Sequence, residues 1–422
     1  MIKKIIAGVA LLAITTAAAQ ENNASPYSYY GLGDTKFKGT AENRSMGGLS
    51  IYPDSIHINL QNPASNPYLN LTTFTVGAGN SATRFKSSTG KDEANRTTLD
   101  YLAVGLPMKK LGVVFGLMPY TSVGYKIQNT TTGDDGLTRE RRFNGKGGIN
   151  RAFLSAGYQI TPKFSVGADF QYNFGNIETK SIIGMPLHGL EYSTREINAA
   201  RYNGASFTLG AIYNTKINGR LSWITSATYS PQAKLNSSTE RSISTIQFSS
   251  AGNEIPMDVI DINTSDKKVK MPSRISFGTG FGENMKWFAG AEYTFQESNE
   301  LGNRFENLNA TGFETAHKMT LGGYYIPNYR AYGNYFKRVT YRAGLKYEKT
   351  GLVINNQSIN DYGISLGMGL PLGNYVGGSN INLGAEFGKR GTTKSNLIQE
   401  NYINIFVSLS LNDRWFVKRK YD

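Results

Sequence analysis

Six charged residues stand at alternating positions within largely apolar stretches: Asp169, Glu292, Arg342, Lys346, Glu348 and Glu386. Charges so placed can pair into a stiffening network, or they can line a path and hold an ionic ligand. Arg342 offers a planar fork and Lys346 a compact point charge, so together they could hold a carboxylate. Both uses stay open at this stage.

Other constellations point to bland readings. Gly363, Ser365 and Gly367 match G-x-S-x-G. A hydrolase elbow needs a strand, a sharp turn and a helix. Here the motif sits inside the alternating run Tyr362 to Leu370, and the small residues Gly363, Ser365, Gly367 and Gly369 simply make one slim face. The three histidines, His57, His188 and His317, fall on separate segments without the spacing of a zinc site. Asp258, Asp261, Asn263 and Asp266 could gather a calcium ion, but their spacing fits no EF-hand. A membrane-edge phospholipase would need a Ser/His pair on neighbouring strands, and neither Ser276 nor Ser365 is placed beside His317. No phosphate-cradling loop is present. The expectation is a protein without catalytic residues, metal or cofactor.

The elements that carry the charges alternate with period two. In 163–175, Phe164, Val166, Ala168, Phe170, Tyr172 and Phe174 oppose Ser165, Gly167, Asp169, Gln171 and Asn173. In 285–296, Trp287, Ala289, Ala291, Tyr293 and Phe295 oppose Gly290, Glu292, Thr294 and Gln296. In 338–348, Val339, Tyr341, Ala343, Leu345 and Tyr347 oppose Thr340, Arg342, Gly344, Lys346 and Glu348. About fourteen such segments run from 71–86 to 400–411, the even number of outer-membrane barrels. Short connections (Pro107–Lys110, Thr161–Pro162, Lys216–Gly219, Glu283–Asn284, Pro371–Gly378) alternate with long ones (87–96, 127–149, 181–200, 236–267, 299–313, 351–358, 391–399). Short periplasmic turns and long outer loops produce that rhythm. A charge on the lipid face costs about 2–4 kcal/mol at the midplane, so the charged faces must look inward. The fold expected is all-β: a 14-stranded antiparallel transmembrane β-barrel, first strand closing on the last, with both termini on the periplasmic side.

Composition agrees. The chain has 47 Gly, 26 Tyr and 21 Phe, and no run after the leader is long and apolar enough for a spanning helix. Lys3 and Lys4, the apolar run Ile5 to Ile14 and Ala17-x-Ala19 read as a cleaved signal peptide over 1–19. With 0 Cys there is no lipoprotein anchor, disulfide or thiolate metal site. The net charge of +14 is scattered, which excludes a nucleic-acid patch and suits contact with outer-membrane lipid and lipopolysaccharide. The expected location is the outer membrane of a Gram-negative bacterium.

Residues 20–70 precede the first strand, and their middle, "RSMGGLSIYPDSIHINLQNPAS" at 44–65, does not alternate. Gly47 and Gly48 supply backbone freedom, and Pro63 fixes the turn into the first strand. Arg44-x-Met46-Gly47-Gly48, then Asp54, then Asn62-Pro63-Ala64, resembles the long-chain fatty-acid transporter (FadL-like) family of outer-membrane barrels. The stretch at 326–348 and the C-terminal "NDRWFVKRKYD" look like the variant found in gliding bacteria of the Bacteroidetes type. The resemblance implies a luminal hatch over 20–70, hinged at Gly47, Gly48, Asn62, Pro63 and Ala64, within a barrel over 71–422. It also implies porin-like transport of hydrophobic or amphipathic small molecules, fatty-acid-like, leaving through a gap in the wall. The resemblance equally implies an alternative, an accessory role as a partner-binding barrel of the type IX secretion or gliding machinery.

Overall fold

The computed structural model describes residues 23–184, 192–301, 311–331, 333–373 and 378–415. The leader expected over 1–19, and His188, lie outside these. The described chain closes into a 14-strand antiparallel barrel. Its strands are β1 (Thr72–Lys86), β2 (Lys91–Met108), β3 (Leu111–Thr132), β4 (Thr138–Thr161), β5 (Phe164–Gly184) and β6 (Tyr192–Lys216). They continue with β7 (Leu221–Ser230, extended by Ala233–Phe248) and β8 (Glu254–Ile262, Lys267–Met271 and Arg274–Glu283). The circle finishes with β9 (Trp287–Gln296), β10 (Ala316–Tyr325), β11 (Thr340–Ile354), β12 (Gln357–Pro371), β13 (Asn380–Arg390) and β14 (Gln399–Asp413). β14 pairs with β1 from Gln399↔Lys86 to Asp413↔Thr72, so no sheet edge is left at that seam.

The alternation in the sequence sets the two faces. Phe170, Tyr172 and Phe174 are exposed on the outside of β5, while Ser165, Asp169, Gln171 and Asn173 are buried inside. Leu345 is exposed and Arg342 buried on β11, and β14 shows Ile403, Ile405 and Val407 outward with Phe406 and Ser408 inward. The outer apolar band faces lipid, which makes this a protein of the outer membrane.

Two expectations are corrected. The stretches 127–149, 181–200 and 236–267, read as loops, are largely strand. β3 and β4 pair out to Thr132↔Thr138, β5 and β6 out to Ile183↔Thr194, and Glu254–Ile262 pairs with Ala233–Phe248. Once a strand leaves the bilayer, water accepts either face, so the apolar alternation that marks a spanning strand disappears. Asp258 and Asp261 lie along this outer strand, opposite Thr245 and Ser242, rather than gathered in a loop. A spanning strand needs about 9–11 residues, whereas β4 has 24 and β6 has 25. On one side of the barrel the excess stands as a wall above the membrane. On the other side β9 has only 10 residues.

The second correction concerns the N-terminus. Asp413 does lie at the short-turn, periplasmic end. The chain from Asn23, however, begins in the outer half of the lumen: Ser25 Oγ donates to Glu400 Oε1 at 2.5 Å, and Tyr27 OH donates to the carbonyl of Ile398, both at the outer end of β14. The segment then runs down through helix α1 (Ala41–Ser45) to the turn Pro63–Tyr68 before entering β1.

Candidate functional site

The lumen is occupied by residues 23–70, and the strands are shaped to admit them. Helix α1 rests against β11, β12, β13 and β14, and the turn Pro63–Tyr68 against β2 to β6. Asn62 caps that turn, its Oδ1 accepting from the N–H of Ala64 at 3.0 Å. Pro63, Ala64 and their neighbours press against inward glycines, so a Cβ at Gly157 would strike Pro63 and Pro67. On the opposite wall a Cβ at Gly344 would meet the backbone of Met46 and Gly47. Gly47 has φ +72° and Gly48 φ +94°, the left-handed region that favours glycine. Gly47 is wedged between β10 and β11: its N–H donates to Ser365 Oγ at 2.9 Å, and a Cβ would come within 2.7 Å of the carbonyl of Leu345. Leu49, Ile51, Ile58, Leu60 and Leu69 of the segment are buried.

The inward charges meet this segment. Glu386 is shared: Oε2 accepts from Arg44 Nε at 2.8 Å, and Oε1 pairs with Lys346 Nζ at 2.6 Å. Lys346 also reaches Asp361 at 3.1 Å, and the Arg44 guanidinium lies 5.0 Å above the Phe406 ring. Asp169 pairs with Lys38 at 3.0 Å. Glu292 Oε2 accepts from both the N–H and the hydroxyl of Ser50, at 2.9 and 2.7 Å. Arg342 donates to Asn382 Oδ1 at 3.1 Å, and Asn382 donates to Glu42 Oε1 at 2.6 Å. Glu348 stands opposite Lys318 across β10 and β11. The residues singled out in the sequence are thus brought together, with Glu386, Asp169 and Glu292 bound to the N-terminal segment and Lys346 held between two carboxylates. Sequence reasoning missed their partners Lys38, Glu42 and Ser50, and it named Arg44 only as part of the motif at 44–48, not as the partner of Glu386.

His57 belongs to the same seam. Its Nδ1 lies 2.9 Å from Asp54 Oδ2 and its Nε2 3.7 Å from Glu42 Oε1. Burial opposes a charge on the ring, but Asp54 and Glu42 outweigh it and hold the imidazolium above the ordinary histidine range, against Arg342.

The wall itself has a parting. β2 and β3 pair only between Met108↔Leu111 and Leu102↔Leu117. Beyond this, β2 stays with β1 and β3 with β4. The freed edge of β3 is taken by the N-terminal segment: Asp34 and Thr35 pair with Ser122 and Thr121, and Lys36 N–H donates to the carbonyl of Tyr120 at 2.9 Å. Asn23 Nδ2 adds a bond to the carbonyl of Ser122 at 3.1 Å. One segment thus covers the free edge of β3 with residues 34–36 and crosses the lumen with helix α1 and the turn Pro63–Tyr68. Above α1 remains a cavity of about 450 Å³, lined by groups of both charge signs.

A family model described as BamG matches residues 1–422. No curated protein matches the chain. Among solved structures, the Pseudomonas putida toluene transporter TodX aligns with TM-score 0.60 and 16% identity over 91% of this chain and 100% of that one. The Ralstonia pickettii toluene transporter TbuX gives TM-score 0.58 and 14% identity over 89% and 99%. A Pseudomonas aeruginosa FadL homologue gives TM-score 0.58 and 12% identity over 91% and 99%. At these identities the likeness establishes a common fold.

Proposed function

The chain belongs to the BamG family, and from its doubly closed lumen we propose an accessory barrel, sealed at rest, that engages protein partners through its outer wall. The observation that carries this reading is the position of residues 23–36. They lie along the unpaired edge of β3, while the rest of the segment is tied across the lumen to Glu386, Asp169 and Glu292. An open pore would leave these charges to water. The tall sheet of β3 to β8 supplies a surface for protein contact on one side of the rim. A component of the type IX secretion or gliding machinery is the partner class raised by the family resemblance. Export through a leader over 1–19 completes the proposal.

A second reading is favoured by the parting between β2 and β3 and by the fold shared with proteins named as toluene transporters. In it, residues 23–70 move as a hatch about Gly47, Gly48, Asn62, Pro63 and Ala64, and a hydrophobic small molecule leaves sideways. Arg342, Lys346 and Glu348 would then exchange their present neighbours for the ligand.

Planar-bilayer recording and ligand analysis separate the two. The accessory reading expects a silent wild-type barrel with no lipid-like molecule after purification in mild detergent. A chain lacking residues 23–36 should admit small apolar solutes into proteoliposomes. Saturable uptake of toluene by the intact chain would replace the first reading with the second.

A further inference from the structure

We propose that the inner wall around Arg274 is a binding site for a phosphate-class oxyanion entering the outer cavity. Arg274 opens the membrane-crossing part of β8, opposite Ser230 of β7 and Gln296 of β9. Ile275 and Phe277 are exposed to lipid, so Arg274 and Ser276 point inward. Arg274 is only partly exposed and lines the cavity, and its side chain makes no ion pair or hydrogen bond among the described residues. With no carboxylate bound to it, the planar fork is available to an anion drawn in from outside.

The surroundings add positive charge and donors. Arg151, Lys38 and Lys318 line the same cavity. Burial holds the Lys38 ammonium below the ordinary lysine range; Asp169 opposes this, and the charges of Arg151 and Arg274 add to it, so the three cations feel one another. The nearby acids are engaged: Asp169 by Lys38, Glu292 by Ser50, while Glu348 faces Lys318. Arg151 donates to Asn173 at 2.9 Å and stacks 4.3 Å over Tyr120, which leaves Arg274 as the cation with an empty fork. Between these charges the wall is hydroxyl-rich. Thr208 and Ser230 bond at 2.9 Å, and Ser276 and Thr294 at 2.8 Å. A planar fork beside hydroxyl donors suits an anion with several acceptor oxygens better than it suits a hydrocarbon. Two sources share this chemistry: free phosphate, and a phosphomonoester headgroup of an outer-leaflet lipid.

The test uses the full chain purified in detergent, titrated calorimetrically with inorganic phosphate and, separately, with glycerol 3-phosphate. Saturable binding that weakens as sodium chloride is raised is expected for at least one probe. Binding of both marks the free anion as sufficient, and binding of glycerol 3-phosphate alone points to the headgroup. Arg274→Gln should weaken it at least tenfold, while Arg84→Gln, in an exposed pair with Glu93, should leave it unchanged. Heat-modifiable migration on a gel checks that each variant is folded. No saturable binding of either probe by the wild type, or equal affinity in folded Arg274→Gln, overturns the site whatever the role of the barrel.

Discussion

Glu386→Gln is the sharpest perturbation of the closed lumen. The carboxylate is buried and joins Arg44 of the N-terminal segment to Lys346 of β11, at 2.8 and 2.6 Å. Removing one partner of a buried pair costs about 3–5 kcal/mol when the remaining charge is stranded. Neither cation is wholly stranded here, since Lys346 keeps Asp361 at 3.1 Å and Arg44 keeps Asp100 at 3.7 Å. A loss of about 2–3 kcal/mol is therefore expected, which raises the population of states with α1 detached by roughly 30- to 150-fold. The segment should still be seated most of the time. Leu49, Ile51, Ile58, Leu60 and Leu69 are all buried, and at about 1.5–3 kcal/mol each they outweigh the lost pair.

Hydrogen exchange reads this directly. Amides of residues 41–51 should exchange faster by that factor in Glu386→Gln, while those of β5 and β6 keep the wild-type rate. Brief conductance events in planar bilayers should become more frequent in parallel. Equal exchange over 41–51 in the two proteins would refute the idea that buried ion pairs hold the segment in place. A uniform increase over the whole barrel would show instead that Glu386 serves the wall alone.

Other changes test separate parts of the closure. His57 has its folded pKa raised above the unfolded value, so its contribution is complete below the unfolded pKa and is lost as pH rises through the folded one. Thermal stability of the seated segment should therefore fall on the alkaline side of the ordinary histidine range, and His57→Gln should remove that slope. Gly47→Ala places a Cβ near the carbonyl of Leu345 at a positive φ, with an expected loss of about 1–2 kcal/mol or more, read as a lower unfolding temperature and faster exchange over 41–51. Asn62→Ala removes the acceptor for the Ala64 N–H and should cost about 1 kcal/mol, seen as earlier proteolysis within 60–70.

The barrel was legible in the sequence wherever lipid imposed a rule. A single charge facing hydrocarbon is expensive enough to force strict alternation, so the faces around Asp169, Glu292 and Arg342 could be read residue by residue. The same physics explains where the reading stopped. Above the bilayer the extension of β3 ends in Gln128-Asn129-Thr130-Thr131-Thr132, polar on both faces, and nothing in such a run separates a paired strand from a loop.

The luminal segment was harder for a different reason. Asp34 and Thr35 form a two-residue strand, too short for any periodicity, and their bonds are to β3 rather than to a sequence neighbour. Arg44 and Glu386 meet across 342 positions, and the register that joins them is set by backbone contact, not by local pattern. A signal for that contact did exist. Gly157, Gly167 and Gly210 on one wall, and Gly322, Gly344 and Gly367 on the other, face inward where the segment's backbone or small side chains approach. Glycines in an alternating strand weaken it, so their recurrence at one level of successive inner faces marks where another chain segment must press. The slim face noticed around Gly363 to Gly369 was one piece of that seat. Its Ser365, which began as part of an apparent hydrolase motif, instead accepts the N–H of Gly47 and helps hold the lumen closed.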